Sequence, residues 1–258
     1  MDGQRTLLAR LHAALPRGPA DFLLQLGIWF GFLFAYQLAR GVADHDSGLA
    51  FDNGRALIHA ERSLGTLFEL DVQRLVVGAG DGLVQAVNWT YWNSQFTVVG
   101  LALLWVYFRR NGAFLRLRNI LLLVNVLALV GFVLMPTAPP RLFPDEGFVD
   151  TLAAASTLNH GTGIVQLASN QFAAMPSIHA ADSLILGAVM ATLVRNPIAR
   201  LAWLAWPAWV WFTVMATGNH FWLDIAAGIG LAAVAVVGVL AVERVRRRET
   251  GLDRAALP

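Results

Sequence analysis

Two short stretches concentrate reactive side chains in an otherwise apolar chain. MPSIHAAD places Ser177, His179 and Asp182 within six positions, and GNHFWLD places His220 and Asp224 four apart. On a helix, residues four apart share a face. A carboxylate bonded to one imidazole nitrogen fixes the tautomer and leaves the other nitrogen to act. His220 with Asp224 can therefore be a basic or nucleophilic pair. Pro176 followed by Ser177 reads as a helix start with Ser177 at the N-cap. The backbone N–H groups there, at Ser177 and Ile178, form a ready anion site. A third piece is Arg141 in PTAPPRL, whose guanidinium suits a two-pronged grip on phosphate oxygens. Read singly, each piece has a structural use as cap, hydrogen bond or surface charge. Together they suit phosphoryl chemistry.

These pieces need elements that bring them together. Of 258 residues, 57% are hydrophobic and 14% charged, against about 25% charged in a soluble domain. The chain reads as an integral membrane protein. Its formal net charge of +2 gives no basic field for nucleic acid. All 19 basic residues are arginine, and the absence of cysteine rules out disulfides, thiolate nucleophiles and cysteine-bound metals. Six spans are predicted, at about Phe22–Ala39, Leu83–Phe108, Ile120–Met135, Ile178–Val194, Ile198–Thr217 and Phe221–Val242. Pro207 is a predicted kink in the fifth. The first run is long for a signal peptide and no A-x-A site follows it, so it reads as a retained span.

Arginine placement orients the bundle. Arg5, Arg10 and Arg17 precede the first span; Arg109, Arg110, Arg116 and Arg118 lie between the second and third; Arg195 and Arg200 between the fourth and fifth; Arg244 to Arg248 after the sixth. All fall on one side, which the positive-inside rule makes cytoplasmic. Asp44, Asp46, Asp52, Glu61, Glu69, Asp71, Asp81, Asp145, Glu146 and Asp150 fall on the other. So do Arg141, Ser177, His179, His220 and Asp224. Between Gly41 and Gly82, Leu57, Leu64, Leu67, Phe68 and Leu75 alternate with charges at near-helical spacing, which predicts amphipathic helices at the outer interface. Pro136 to Pro176 is a long outer connection with a rigid proline turn.

With both histidine motifs in view, the chain resembles the type 2 phosphatidic acid phosphatase superfamily, whose second and third motifs usually read P-S-G-H and S-R-x-x-x-x-x-H-x-x-x-D. The isoleucine in NQFAAMPSIH, together with TGNHFWLD, PTAPPRL and HAERSLGTLFELDVQ, resembles the branch containing inositol phosphorylceramide synthase and related actinobacterial proteins. The resemblance covers roughly Ile58 to Gly230. It implies an all-α, polytopic fold with six transmembrane helices and a catalytic core at 83–242. An N-terminal segment at 1–82 would precede that core, and a basic cytoplasmic tail at 243–258 would follow it. It also implies a role for each residue. His220 would attack phosphorus and form a phosphohistidine, Asp224 would orient and stabilise it, and His179 would protonate the leaving oxygen and then activate water or an alcohol. Ser177, Ile178, Arg141 and Asn219 would hold the phosphoryl oxygens, with no metal or other cofactor required. The chain departs from the family pattern at three places. It lacks the lysine of the first motif. Thr217, Gly218 and Asn219 stand where an arginine usually precedes the third-motif histidine. Gln95 stands where the branch has a histidine after N-x-x-Y. Arg116 and Arg118 fall on the cytoplasmic side and do not replace the lysine.

The implied function is metal-independent phosphatase or phosphotransferase chemistry on a membrane lipid phosphate at the extracytoplasmic face of a bacterial plasma membrane. The partners are a phosphorylated lipid and the bilayer, with no nucleic acid, and both termini are cytoplasmic. Two alternatives stay open: an inositol phosphotransferase with a phospholipid head-group donor, and a non-catalytic lipid-binding scaffold on the same fold. A proton-relay transporter ranks below these, since no inverted repeat or paired broken span is visible. A histidine metal site would leave Ser177 and Arg141 without a role. Asp182, one turn into its span, receives no catalytic role.

Overall fold

The computed structural model describes residues 15–42, 47–154 and 171–255. Arg5, Arg10, His12, Asp44, His45, Asp46, His160 and residues 155–170 of the long connection lie outside the described residues. The described chain is helical: α1 (Gly18–Val42), α2 (Ser47–Ser63), α3 (Glu69–Gly78), α4 (Asp81–Gln95), α5 (Thr97–Arg109) and α6 (Asn111–Leu134), then α7 (Thr151–Ala154), α8 (Ile178–Leu193), α9 (Pro197–Ala216) and α10 (Trp222–Ala255). Two 3₁₀ turns, Pro140–Leu142 and Pro144–Glu146, follow α6. Among the described residues there is no strand, only an isolated parallel bridge between Thr137 and Ala173.

Four helices are long and apolar enough to cross a membrane: Gly18–Leu38, Asn111–Leu134, Pro197–Ala216 and Trp222–Glu249. The predicted second span is two helices that part at Phe96. Side chains next to the break compete for its backbone. Asn93 donates to the Trp89 carbonyl at 2.8 Å, Ser94 to the Tyr91 carbonyl at 3.3 Å, and Thr97 to Asn93 at 2.9 Å. The predicted fourth span, α8, has 16 residues, or about 24 Å of helix. It can be short because it is surrounded by protein. α4, α5, α6, α9 and α10 all pack on it, and eleven of its residues are buried.

Small residues permit that crowding. A Cβ on Gly187 of α8 would lie 2.6 Å from the Trp203 carbonyl oxygen of α9 and 2.8 Å from Pro207. α8 and α9 therefore touch backbone to backbone, as close helix pairs in membranes do. The main core lies among α5, α6, α8 and α10 around Val106, Leu117, Val124, Leu186 and Ala235. A second cluster joins Leu57 and Ile58 of α2 to Ala138, Phe143, Phe148 and Phe221.

That second cluster changes the reading of α2 and α3. Both are helices, as their spacing predicts, but they do not simply lie on an interface. They roof the end of the bundle that carries the two histidines. Gly54 of α2 sits where a Cβ would be 2.6 Å from the Phe143 ring and 2.8 Å from the Ala138 carbonyl oxygen. Glu61 and Glu69, expected among the exposed acids, are both wholly buried. The opposite end holds the arginines. Arg116 grips Glu243 through both carboxylate oxygens at 2.7–3.1 Å, and Arg118 donates to Gln25 at 2.5 Å. Both are a helix length from the histidines.

The backbone contact at Gly187 gives a direct test of this packing. Gly187→Val should wedge α8 from α9 and cost about 1–3 kcal/mol of stability, the usual range for overpacking. Thermal unfolding of the detergent-purified protein would show a lowered midpoint. A substitution on the exposed face of α9, such as Leu201→Ala, should leave the midpoint near wild type.

Candidate active site

The site is built where α8 begins and where α9 turns into α10. Ser177 is the N-cap of α8, with extended backbone, and its Oγ accepts from the Ala180 N–H at 3.3 Å. The Ser177 N–H donates to the Asp224 carbonyl at 3.0 Å, so a backbone bond joins the two histidine motifs. Gly228, one turn on in α10, allows this approach. A Cβ there would stand 2.2 Å from the Ser177 carbonyl oxygen.

His220 turns Nδ1 to Asp224 Oδ2 at 3.4 Å, with both side chains buried. The same Oδ2 accepts from the Phe221 N–H at 2.9 Å. Phe221 precedes the first residue of α10 and Asp224 is its third, so this is the reciprocal half of a capping box. Asp224 thus holds the helix start and the histidine with one oxygen. His179 lies across from His220, with ring centroids 5.6 Å apart. Its ring stacks on Tyr91 of α4 at 4.7 Å and 22°.

Arg141 reaches the same place from the 3₁₀ turn after PTAPP. Its backbone N–H donates to the Gly218 carbonyl at 2.8 Å. Its Nη1 donates to Asn219 Oδ1, and its Nε lies 3.6 Å from Asp150 Oδ2. Gly218 has φ +67° with Arg141 Cβ and Gln73 close by, a conformation and a space that suit glycine. Asn219 is engaged on both sides, since its Nδ2 donates to Thr217 Oγ1 at 2.9 Å. It stands as an orienter of Arg141.

Arg141, Ile178, His179, Asn219 and His220 line one cleft of roughly 370 Å³, with Tyr91 and Gln95 beside them. Five of the predicted residues therefore meet in one space. Ser177 and Asp224 stand behind its wall. Asp182 does not reach it. Its carboxylate accepts from Asn125 Nδ2 at 3.0 and 3.3 Å and faces a neighbouring cavity.

Sequence reasoning missed the groups that hold α10. Glu69 Oε1 accepts from the Trp222 N–H at 2.7 Å, and Glu61 Oε1 from the Leu223 N–H at 3.1 Å. Trp222 also ties its indole N–H to Thr66 Oγ1 at 3.1 Å, on the turn between those two glutamates. The first N–H groups of a helix have no partner inside it. Here three carboxylates, from Asp224, Glu61 and Glu69, take them. Burial, then the charge of Glu69, pushes the Glu61 carboxyl up to about 9, and burial raises Glu69 as well. With its value raised that far, Glu61 holds its proton at neutral pH.

This proton has a consequence for stability. Folding takes up a proton wherever the pH lies between the ordinary Glu61 value of 4.5 and its raised value of about 9. The stabilisation is therefore complete below that window and is lost as pH rises through it. The unfolding midpoint should fall between pH 5 and pH 9. Glu61→Gln keeps an oxygen acceptor without a titrating proton, and should flatten that slope in scans at constant ionic strength.

A family model described as the PAP2 superfamily matches residues 55–238, well over half of the 258 residues. No curated protein and no solved structure gave a significant match. The matched stretch runs from the roof helix α2, through Arg141 and both histidine motifs, into α10; this chain belongs to the PAP2 superfamily.

Proposed function

We propose that this chain is a membrane enzyme that takes the phosphoryl group of a lipid phosphate onto His220 and passes it to water or an alcohol. One observation carries the reading. His179 and His220 line one cleft with their rings 5.6 Å apart, and His220 has a buried carboxylate at Nδ1. Members of the superfamily are typically phosphatases or phosphotransferases acting on lipid phosphates, and the geometry gives each step a residue.

With Nδ1 turned to Asp224, Nε2 of His220 is the attacking atom. It forms a P–N bond as the P–O bond to the lipid breaks, and His179 delivers a proton to the departing oxygen. In the second half His179 takes a proton from water or an alcohol, whose oxygen attacks phosphorus and breaks the P–N bond. His220 returns neutral and the protons balance. Asp224 stabilises the imidazolium that forms meanwhile, in the manner of a triad carboxylate. Arg141 and the first-turn N–H groups of α8 face the equatorial oxygens, where phosphoryl transfer gathers its charge.

The two ends of the bundle support a bilayer placement with six crossings. α1, the joined pair α4 and α5, α6, α8, α9 and α10 make six crossings. The arginines at one end would sit in the cytoplasm, and the cleft at the other would face outside the plasma membrane. Water and alcohol share the phosphohistidine, so hydrolysis and transfer to an acceptor such as inositol are branches of one scheme.

The test is phosphate release by purified protein from phosphatidate, a polyprenyl pyrophosphate and a soluble ester. EDTA is present throughout, with and without inositol. His220→Ala should abolish release and leave no acid-labile phosphoprotein. His179→Ala should slow release by about 10²–10⁴-fold, the usual worth of a general acid–base. Release that persists in His220→Ala would remove the phosphohistidine scheme. Gly228→Ala should lower kcat/KM by about 10²-fold by moving Asp224 and His220 off α8, with the protein still folded by circular dichroism.

A further inference from the structure

We propose that the hydrocarbon chain of the phosphorylated lipid lies in a channel inside the protein, between α1 and the α5–α6 pair. This rests on the reading of the cleft as the phosphoryl site. Two further cavities lie below the cleft, and each shares lining residues with the one above it. Gln95 lines both the cleft and a middle cavity of roughly 370 Å³. Trp29 and Leu122 line both the middle cavity and an inner one of roughly 500 Å³.

Three helices step down through these cavities in register. On α6, Phe132 lines the cleft, Asn125 the middle cavity and Arg118 the inner one. From α4 into α5, the order is Gln95, then Val99, then Leu103. On α1, Tyr36 borders the middle cavity and Phe22 the inner one. Unrelated surface dents would not keep the same order on three separate helices. From Phe132 to Arg118 the path is about 21 Å, at about 1.5 Å of rise per residue. One leaflet of hydrocarbon is about 15 Å deep. The path therefore runs from the head-group cleft past the midplane.

The wall chemistry fits a chain joined to a polar head. Gln95 is nine-tenths buried, lines two cavities, and its amide makes no hydrogen bond with a described residue. An amide reachable from both spaces offers a donor and an acceptor to a ligand that passes it. The phosphate ester oxygen, or a hydroxyl beside it, would bond to it. Asp182 and Asn125 are also on the upper wall. Below them the walls are apolar until Gln25 and Arg118 close the inner end. The spaces share few residues, Gln95 above and Trp29 and Leu122 below, which suits one chain at each junction. The channel's occupant is one long chain, as in a polyprenyl phosphate, rather than two chains side by side.

The test compares full-length wild type with Leu122→Trp, which narrows the lower junction, and Gly100→Leu, which fills the inner cavity. kcat/KM is measured for a polyprenyl phosphate and for butyl phosphate. Each variant should reduce the long-to-short ratio about tenfold or more, since loss of two buried methylenes is enough for that. An unchanged ratio in both variants, including an equal fall for both substrates, would overturn the channel. In parallel, a long-chain phosphate with a diazirine near its tail is photolysed in nanodiscs. Labelling of Trp29, Leu103 or Leu122, suppressed in Leu122→Trp, supports the channel. Labelling confined to the outward Phe30 and Phe34 overturns it, as does a resident two-chain phospholipid that the probe does not displace. If wild type releases phosphate from neither substrate, the catalytic reading fails, and the label still decides the channel.

Discussion

The start of α10 sets the problem that the rest of the structure answers. Its first N–H groups are buried, and an unmet donor there costs a large part of a hydrogen bond's worth. Asp224 meets one from within the helix, and Glu61 and Glu69 meet two from the roof. The carboxylates also answer the positive end of the helix dipole. Because Asp224 Oδ2 serves both the Phe221 N–H and His220 Nδ1, the cap that starts the helix also aims the histidine. The Asp224 carbonyl then receives the Ser177 N–H, which places α8, and His179 with it. Roof, the start of α10 and the start of α8 are thus one hydrogen-bonded unit that carries both histidines, and α2 and α3 are tied into it.

How far the sequence shows this depends on the range of each interaction. His220 and Asp224 are legible because their contact lies within one helical turn, and Ser177 because a cap is local. Arg141 is legible as a residue type. Its orientation by Asn219 is not, since that needs a turn to fold back across 78 positions. Glu61 and Glu69 are the instructive failure. Acids alternating with leucines at helical spacing read as a wet face. Periodicity cannot tell a carboxylate facing water from one facing the buried end of another helix. The clue available was the pairing of two glutamates across the Gly65 turn with a third-motif helix that otherwise lacks caps for its first donors. Tyr91 is legible as the tyrosine of N-x-x-Y, but its stacking under His179 is not, because stacking has no sequence period.

The spans divide in the same way. Length and apolarity identify α1, α6, α9 and α10. The six-span reading also counts α8, which has 16 residues and is surrounded by protein, and takes α4–α5 as one span, where the helix breaks at Phe96 beside Asn93, Ser94 and Thr97. The break has a use in the fold. It sets Gln95 at the edge of the cleft while α5 continues toward the arginine end. Gln95 is an uncharged side chain that can both donate and accept hydrogen bonds.

A shortage of cations in the cleft ties these features together. The lysine of the family's first motif is missing, and so is the arginine usual before the third-motif histidine. Arg141 is the one permanent cation among the described residues lining the cleft, and Asp150 and Asn219 already share it. A phosphate monoester therefore meets modest ground-state attraction at its head. Binding strength can come instead from the far end of the molecule, at about 0.8 kcal/mol for each methylene withdrawn from water. Binding energy collected away from the reacting centre can be used to hold the phosphorus against His220. With the proposed channel, a sparse head-group site and a deep chain site would make one arrangement: the hydrocarbon would supply affinity, and the few polar groups in the cleft would act on the charge that develops in the transition state.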